Sequence, residues 1–140
     1  MFGGFRTYGD LHGQSLEGIA TNILAARLKH LVQEGLLTVR ADPAHRQRRI
    51  YSLTEDAIAL VPVLAHLGAW GVSRIPATAL TARATALADG GPEMWEDFMA
   101  ELRERHLGQP MPEGRRPATP RLAEAYAAAG GTGPRAETAD

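Results

Sequence analysis

The chain has 140 residues, 44% of them hydrophobic, no cysteine, and a formal net charge of −1. That is enough for one domain with a core, and it excludes disulfides, thiolate metal sites and thiol redox chemistry within this chain. No run approaches 18 consecutive apolar residues, and no basic segment followed by an apolar one opens the chain, so neither a spanning helix nor a secretory signal is expected and the protein reads as cytoplasmic.

The near-neutral charge hides an asymmetry. Residues 1–54 hold seven basic and four acidic residues, a local +3, whereas residues 55–140 hold eight basic and twelve acidic, a local −4. A basic half beside an acidic half points to a polyanion partner for the first.

In chain order, residues 7–12, TYGDLH, can start a short helix, with Thr7 as N-cap and Asp10 three positions on as its capping-box partner. GQSLEG then reads as a turn. Residues 21–34, TNILAARLKHLVQE, are the clearest helix. Thr21 is expected to cap it. Leu24, Leu28 and Leu31 share one side with Gly35, flanked by Ala20 and Val32. The opposite side carries Asn22, Ala26, Lys29, His30 and Gln33, with Arg27 at its edge. Gly35 suits the position just past the helix end.

LLTVRA and RIYSLT both alternate and are rich in β-branched or aromatic residues. DPAHRQR joins them, so a hairpin with a basic tip is expected. Residues 55–75 return to helical spacing, with Glu55 and Asp56 in the first turn, where they suit the helix dipole. Pro62 is expected to bend this helix. Its apolar residues exceed what a small core needs, which suggests a second chain as their cover. PATALTARATALADGG is a weak helix at most. PEMWEDFMAELRERHLG, 92–108, is a better one, with a stripe of Trp95, Phe98, Met99 and Leu102. Glu101 is placed to pair with Arg105, and Glu93, Glu96, Asp97 and Glu101 together read as the solvated polar side of this helix. From Gln109 to Asp140 the composition reads as a flexible tail.

Short helix, turn, amphipathic helix, basic hairpin and long apolar helix together make a winged helix-turn-helix: mainly α with a small β-hairpin, spanning residues 1–75, followed by a helical extension at 76–108 and the tail at 109–140. In that arrangement the second helix enters the major groove of DNA. The hairpin arginines neutralise backbone phosphates. The expected DNA-facing residues are Thr21, Asn22, Ala26, Lys29, His30 and Gln33 on the helix, Arg40 at the hairpin base, and Arg46, Arg48 and Arg49 at its tip. The five histidines show no metal-ligand spacing, and no nucleophile motif, P-loop or dinucleotide fingerprint is present. No cofactor, metal or enzymatic activity is expected. The non-enzymatic alternative is a winged helix that no longer binds DNA and serves as a protein-interaction module.

The residues also resemble the HxlR-type transcriptional regulators. Gly4, Thr7, Tyr8, Asp10 and Leu11 fit that family's first segment; Gly18, Ile19, Leu24, Leu28 and Leu31 its Gly-Ile-Ser segment and the leucine-spaced helix that follows; Gly35, Leu36 and Arg40 the exit; and Tyr51, Leu53 and Thr54 the start of the last helix. The resemblance covers residues 2–71. It implies a homodimeric, sequence-specific regulator of double-stranded DNA, often a repressor, and it leaves room for a small-molecule effector. Ala20 and Ala57 stand where the family often has serine and glycine. The family's first helix, which in similar proteins completes the core and helps form the dimer, is expected to be lacking here, with Met1 and Phe2 falling at its end.

Overall fold

The computed structural model of the chain describes residues 4–15 and 18–131. Leu16 and Glu17 of the expected turn, Met1 to Gly3, and the last nine residues of the expected tail lie outside the described residues. The chain divides into two compact units: one comprises residues 1–59 with 102–110, the other residues 60–101 with 111–140. The sequence reading instead divides the chain at residues 75 and 108.

The first unit holds α1 (Tyr8–Gly13), α2 (Thr21–Gln33), β1 (Leu37–Ala41), β2 (Arg49–Leu53) and α3 (Glu55–Ile58). Thr7 caps α1: its side chain accepts from the Asp10 amide, and the Asp10 carboxylate accepts from the Thr7 amide. Leu24 and Leu28 are the buried face of α2, as their spacing requires, and Leu31 and Val32 are half-buried. β1 and β2 pair antiparallel, Leu37 opposite Leu53 and Val39 opposite Tyr51. An isolated bridge from Thr7 to Ile50 adds a third short piece of sheet.

Two expectations change here. Ala20, not Thr21, occupies the N-cap of α2 and offers no side-chain acceptor. The helical ladder begins at the Ala20 carbonyl, which accepts from the Leu24 amide at 3.0 Å, so Thr21 is already the first helical residue. The expected bent helix at 55–75 is two helices, α3 and α4 (Val61–Val72), separated at Ala59 and Leu60. Pro62 sits in the first turn of α4, where its missing N–H has no helical partner to lose. By length and composition alone, residues Glu55–Val72 would suffice to cross a membrane, with a mean hydropathy of 1.2. Counting uninterrupted apolar residues misses this, because Glu55, Asp56 and His66 break the run without lowering its average enough.

The last part of α6 (Gly91–Leu107) belongs to the first unit and anchors it. Arg103 makes a bidentate pair with Glu55, with its Nη2 at 2.6 Å and its Nε at 2.9 Å from Oε1. The Leu53 amide donates to His106 Nδ1 at 3.2 Å. Arg6 donates to the carbonyls of Tyr51 and Arg105 and to the Ser52 hydroxyl. Leu102 and Ile58 are fully buried.

The second unit is built from α4, α5 (Ala79–Asp89), the first part of α6 and α7 (Ala118–Ala128). α5 packs against both α4 and α7. Thr78 and Thr81 form a reciprocal cap at the start of α5. The Trp95 indole donates to the Leu87 carbonyl at 2.7 Å, and its ring meets His66 edge-on.

The expected flexible tail meets a helix at Ala118–Ala128, and two acids expected to be solvated explain why. Asp97 is buried between Arg121, at 2.7 Å, and Arg115, at 3.4 Å. Burial opposes ionisation of Asp97, yet the hydrogen bonds from Arg121, the Arg116 backbone and Arg115 outweigh it and hold its pKa below the usual value. Glu101, one turn on, accepts from the amides of Ala118 and Thr119 at 2.8 and 2.9 Å. Pro117 at the N-cap has no acceptor, so α6 supplies one in its place. Ala118 and Leu122 then bury their side chains.

Removing either acid will loosen α7. Asp97→Ala and Glu101→Ala are each expected to cost about 1–2 kcal/mol, because the arginines freed from Asp97 are partly solvated. Amide exchange should accelerate across residues 118–128 before it does elsewhere. Glu101→Gln, which keeps an acceptor oxygen, should retain most of the protection. Unchanged exchange in α7 for both alanine variants would contradict this account of its docking.

Candidate nucleic-acid interface

The side chains singled out in the sequence all belong to the first unit, and every one is exposed. On α2 the burial of Leu24 and Leu28 turns Asn22, Ala26, Lys29, His30 and Gln33 outward, since residues half a turn away point to solvent. Thr21 begins the helix, and its carbonyl accepts from the Tyr8 hydroxyl at 2.6 Å, which ties α1 to the start of α2. His30 lies 4.0 Å from Glu34. Ile23, which the sequence reading passed over, is 47% exposed near the start of the helix.

Gly35 ends α2 with φ of +72°. Its amide bonds to the Val32 carbonyl, and the Leu36 amide reaches back to Leu31 at 3.0 Å. This double closure makes the chain leave the helix directly into β1. Arg40 stands on β1 opposite Ile50. Arg40 and Arg105 both lie near Arg6; with burial as the larger cause, they lower the pKa of its guanidinium.

The tip of the hairpin is organised by one acid. Asp42 is buried, at 7% exposure. Its Oδ1 accepts from the Ala44 amide at 2.9 Å, an Asx-turn that the Asp-Pro pair favours. Its Oδ2 lies 2.6 Å from Arg48 Nε. Backbone bonds from Asp42 to Arg48, His45 to Asp42, and Arg48 to His45 close the loop. Arg48 is therefore half solvated but already paired, and its charge is largely spent within the loop. The side chains of Lys29, Arg46 and Arg49 make no hydrogen bond or ion pair among the described residues.

Helix and hairpin meet at one cleft. Lys29 and Gln33 from α2 line it together with Arg49 and Tyr51 from β2. Of the residues expected to face DNA, the structure thus brings Lys29, Gln33 and Arg49 to a common surface. Thr21 and Asn22 stand at the far end of α2, and Arg46 stands out on the hairpin tip. The sequence marks Asp42 as part of the hairpin tip, but not its pairing with Arg48, nor the places of Tyr8 and Tyr51 in this cleft. The two tyrosines carry no local signal for that placement. Among the described residues no group of His, Asp and Glu is placed to hold a metal ion.

The tie at Asp42 has a pH signature. The Ala44 amide first, and Arg48 second, hold the Asp42 pKa below its ordinary value. Its contribution is therefore complete above the unfolded value of about 3.9, and it is lost as pH falls through the lower folded value. The Ala44 and Arg48 amide resonances should keep their native positions at pH 5 and move only on further acidification. Asp42→Ala should show the opened loop already at pH 7. Native amide positions in that variant would dismiss the role given to Asp42.

Comparison with known proteins adds one finding. Neither a curated protein nor a solved structure matches the chain. The model of the HxlR-like helix-turn-helix family matches residues 1–79, more than half of the chain and all of the elements from α1 to α4. With that match over more than half of its length, the chain is a member of the HxlR-like helix-turn-helix family of transcription regulators.

Proposed function

We propose that the protein is a sequence-specific regulator, a repressor that acts as a homodimer on double-stranded DNA in the cytoplasm. The observation that carries this reading is the shared cleft, where Lys29 and Gln33 of α2 and Arg49 of the hairpin border one surface. A helix in the major groove and a hairpin on the adjoining backbone must act from the same side of the protein. On this reading Asn22 and Gln33 read base edges through their amides, and Ala26 meets a thymine methyl. Thr21, Lys29 and His30 contact backbone or base, and Arg40 holds phosphate at the hairpin base. Arg46 and Arg49 carry the phosphate grip at the tip, and Arg48 adds less because Asp42 already neutralises it.

The homodimer reading is supported by the second unit. Leu60, Val63, Leu64, Leu67 and Trp70 form one stripe along α4, and each is 38–59% exposed. Such a stripe is the heptad-like seam that two helices share when they pack against each other. Two α2 helices presented by a symmetric dimer would read half-sites about 34 Å apart.

The DNA reading is tested by fluorescence anisotropy with duplex from the gene's own upstream region against a scrambled duplex, across a salt series. The native duplex should bind more tightly, with affinity falling steeply as salt rises. Arg46→Ala/Arg49→Ala should weaken both duplexes and flatten the logarithmic salt slope by about 2. Equal slopes would remove these arginines from the phosphate contacts, and absence of binding at low salt would refute the regulator reading for this chain. The dimer reading is tested by light scattering: Leu67→Glu should convert a dimer to a monomer, and an unchanged mass would move the interface elsewhere.

A further inference from the structure

The cleft between α2 and the hairpin has a chemistry that phosphate contact does not need. Its volume is about 650 Å³, within the range of roughly 300–1,000 Å³ typical of small-molecule sites. Val32, Val39, Tyr8 and Tyr51 are among the residues that line it. Lys29 and Arg49 stand at its border, and none of the described residues that line it is acidic. Val39 is 43% exposed although it sits in a strand, facing Tyr51 across the hairpin. Tyr8 is fixed by its hydroxyl bond to Thr21 and by stacking on His12, and the backbone of Tyr51 is fixed on both sides by Arg6. The Tyr8 ring and the Tyr51 backbone are therefore held in place before any ligand arrives. Contact with phosphate uses the two cations but not the valines and tyrosines beside them. A flat ring gains area and stacking from those valines and tyrosines, and an anionic substituent on that ring gains the two cations.

We propose that this cleft is an effector site for a planar aromatic anion, such as an aromatic carboxylate, held by Lys29 and Arg49 with its ring between Tyr8, Tyr51 and the two valines. The regulatory half of the inference rests on the DNA reading above. Lys29, Gln33 and Arg49 cannot serve ligand and DNA at once, so an occupied cleft withdraws three contacts from the operator. Release then follows from direct competition, without any relay between separate sites.

The test uses 2-naphthoate, whose own fluorescence anisotropy reports binding to the protein without DNA present. Saturable binding is expected, weakened about tenfold by Lys29→Gln and again by Arg49→Gln, and about as much by using the neutral methyl ester instead. Val39→Gln, which replaces an apolar side chain of the lining by a polar amide without adding charge, should weaken it further, and circular dichroism should show all three variants folded, since each site is exposed. Lack of saturation, or binding indifferent to the ester and to both charge substitutions, would overturn the site. A second arm adds 2-naphthoate to the protein–duplex complex and expects release at concentrations that saturate the free protein. Intact complex at those concentrations would overturn the competition while leaving the binding result to stand by itself. A chain that binds 2-naphthoate but no duplex would locate the failure in the DNA reading instead.

Discussion

The turn at Gly35 is the constraint on which the first unit depends. There the backbone takes the left-handed conformation that ends α2 and turns the chain into β1 within three residues, Glu34 to Leu36. The same few atoms tie in the next helix. The Thr54 hydroxyl donates to the Gly35 carbonyl at 2.7 Å, and the Thr54 amide donates to the Leu36 carbonyl. Thr54 is also the N-cap of α3. One turn therefore sets where α2 stops, where the hairpin begins and where α3 starts. A side chain at Gly35 would meet no neighbouring atom within 4 Å, so the requirement is conformational and not steric crowding. With that turn fixed and Leu24, Leu28, Leu37 and Leu53 buried, the polar face of α2 and the basic hairpin have a defined relation to each other.

Five of the sixteen acids of this chain hold its own parts together. Asp10 closes a cap, Asp42 orders the hairpin loop, Glu55 holds Arg103, Asp97 holds two arginines, and Glu101 caps a neighbouring helix. Each of these uses a carboxylate to satisfy donors the backbone or an arginine would otherwise leave bare. Among the described residues, Lys29, Arg46 and Arg49 of the α2–hairpin surface have no such internal use. A net charge of −1 therefore says little about what that surface attracts.

What was legible in the sequence is what local patterns encode. The leucine spacing of α2, the glycine after it, the alternating strands and the Thr7 cap all act within a few residues, and each is found where the pattern puts it. What was not legible depends on distant partners. Asp97 and Glu101 look like a solvated face until Arg115, Arg121 and the start of α7 arrive from further along the chain, and α7 itself looks like a tail because alanine and charge give it no core pattern of its own. The N-cap of α2 slipped by one residue because Thr21 is the better capping side chain, yet the helical ladder already starts at the Ala20 carbonyl. In the candidate interface the basic tip was visible as composition. Its internal pairing at Asp42, and the tyrosines that face Lys29 and Arg49, became visible only when strand and helix were brought together.

The most direct test of the central claim, that α2 and the hairpin act as one DNA-binding surface, is to map backbone amide shifts of the isotope-labelled chain on titration with its upstream duplex. The account predicts perturbations concentrated at Asn22, Lys29 and Gln33 on α2 and at Arg46 and Arg49 on the hairpin, appearing together at one affinity. Perturbations confined to the apolar stripe of α4, or at the hairpin without α2, would contradict it.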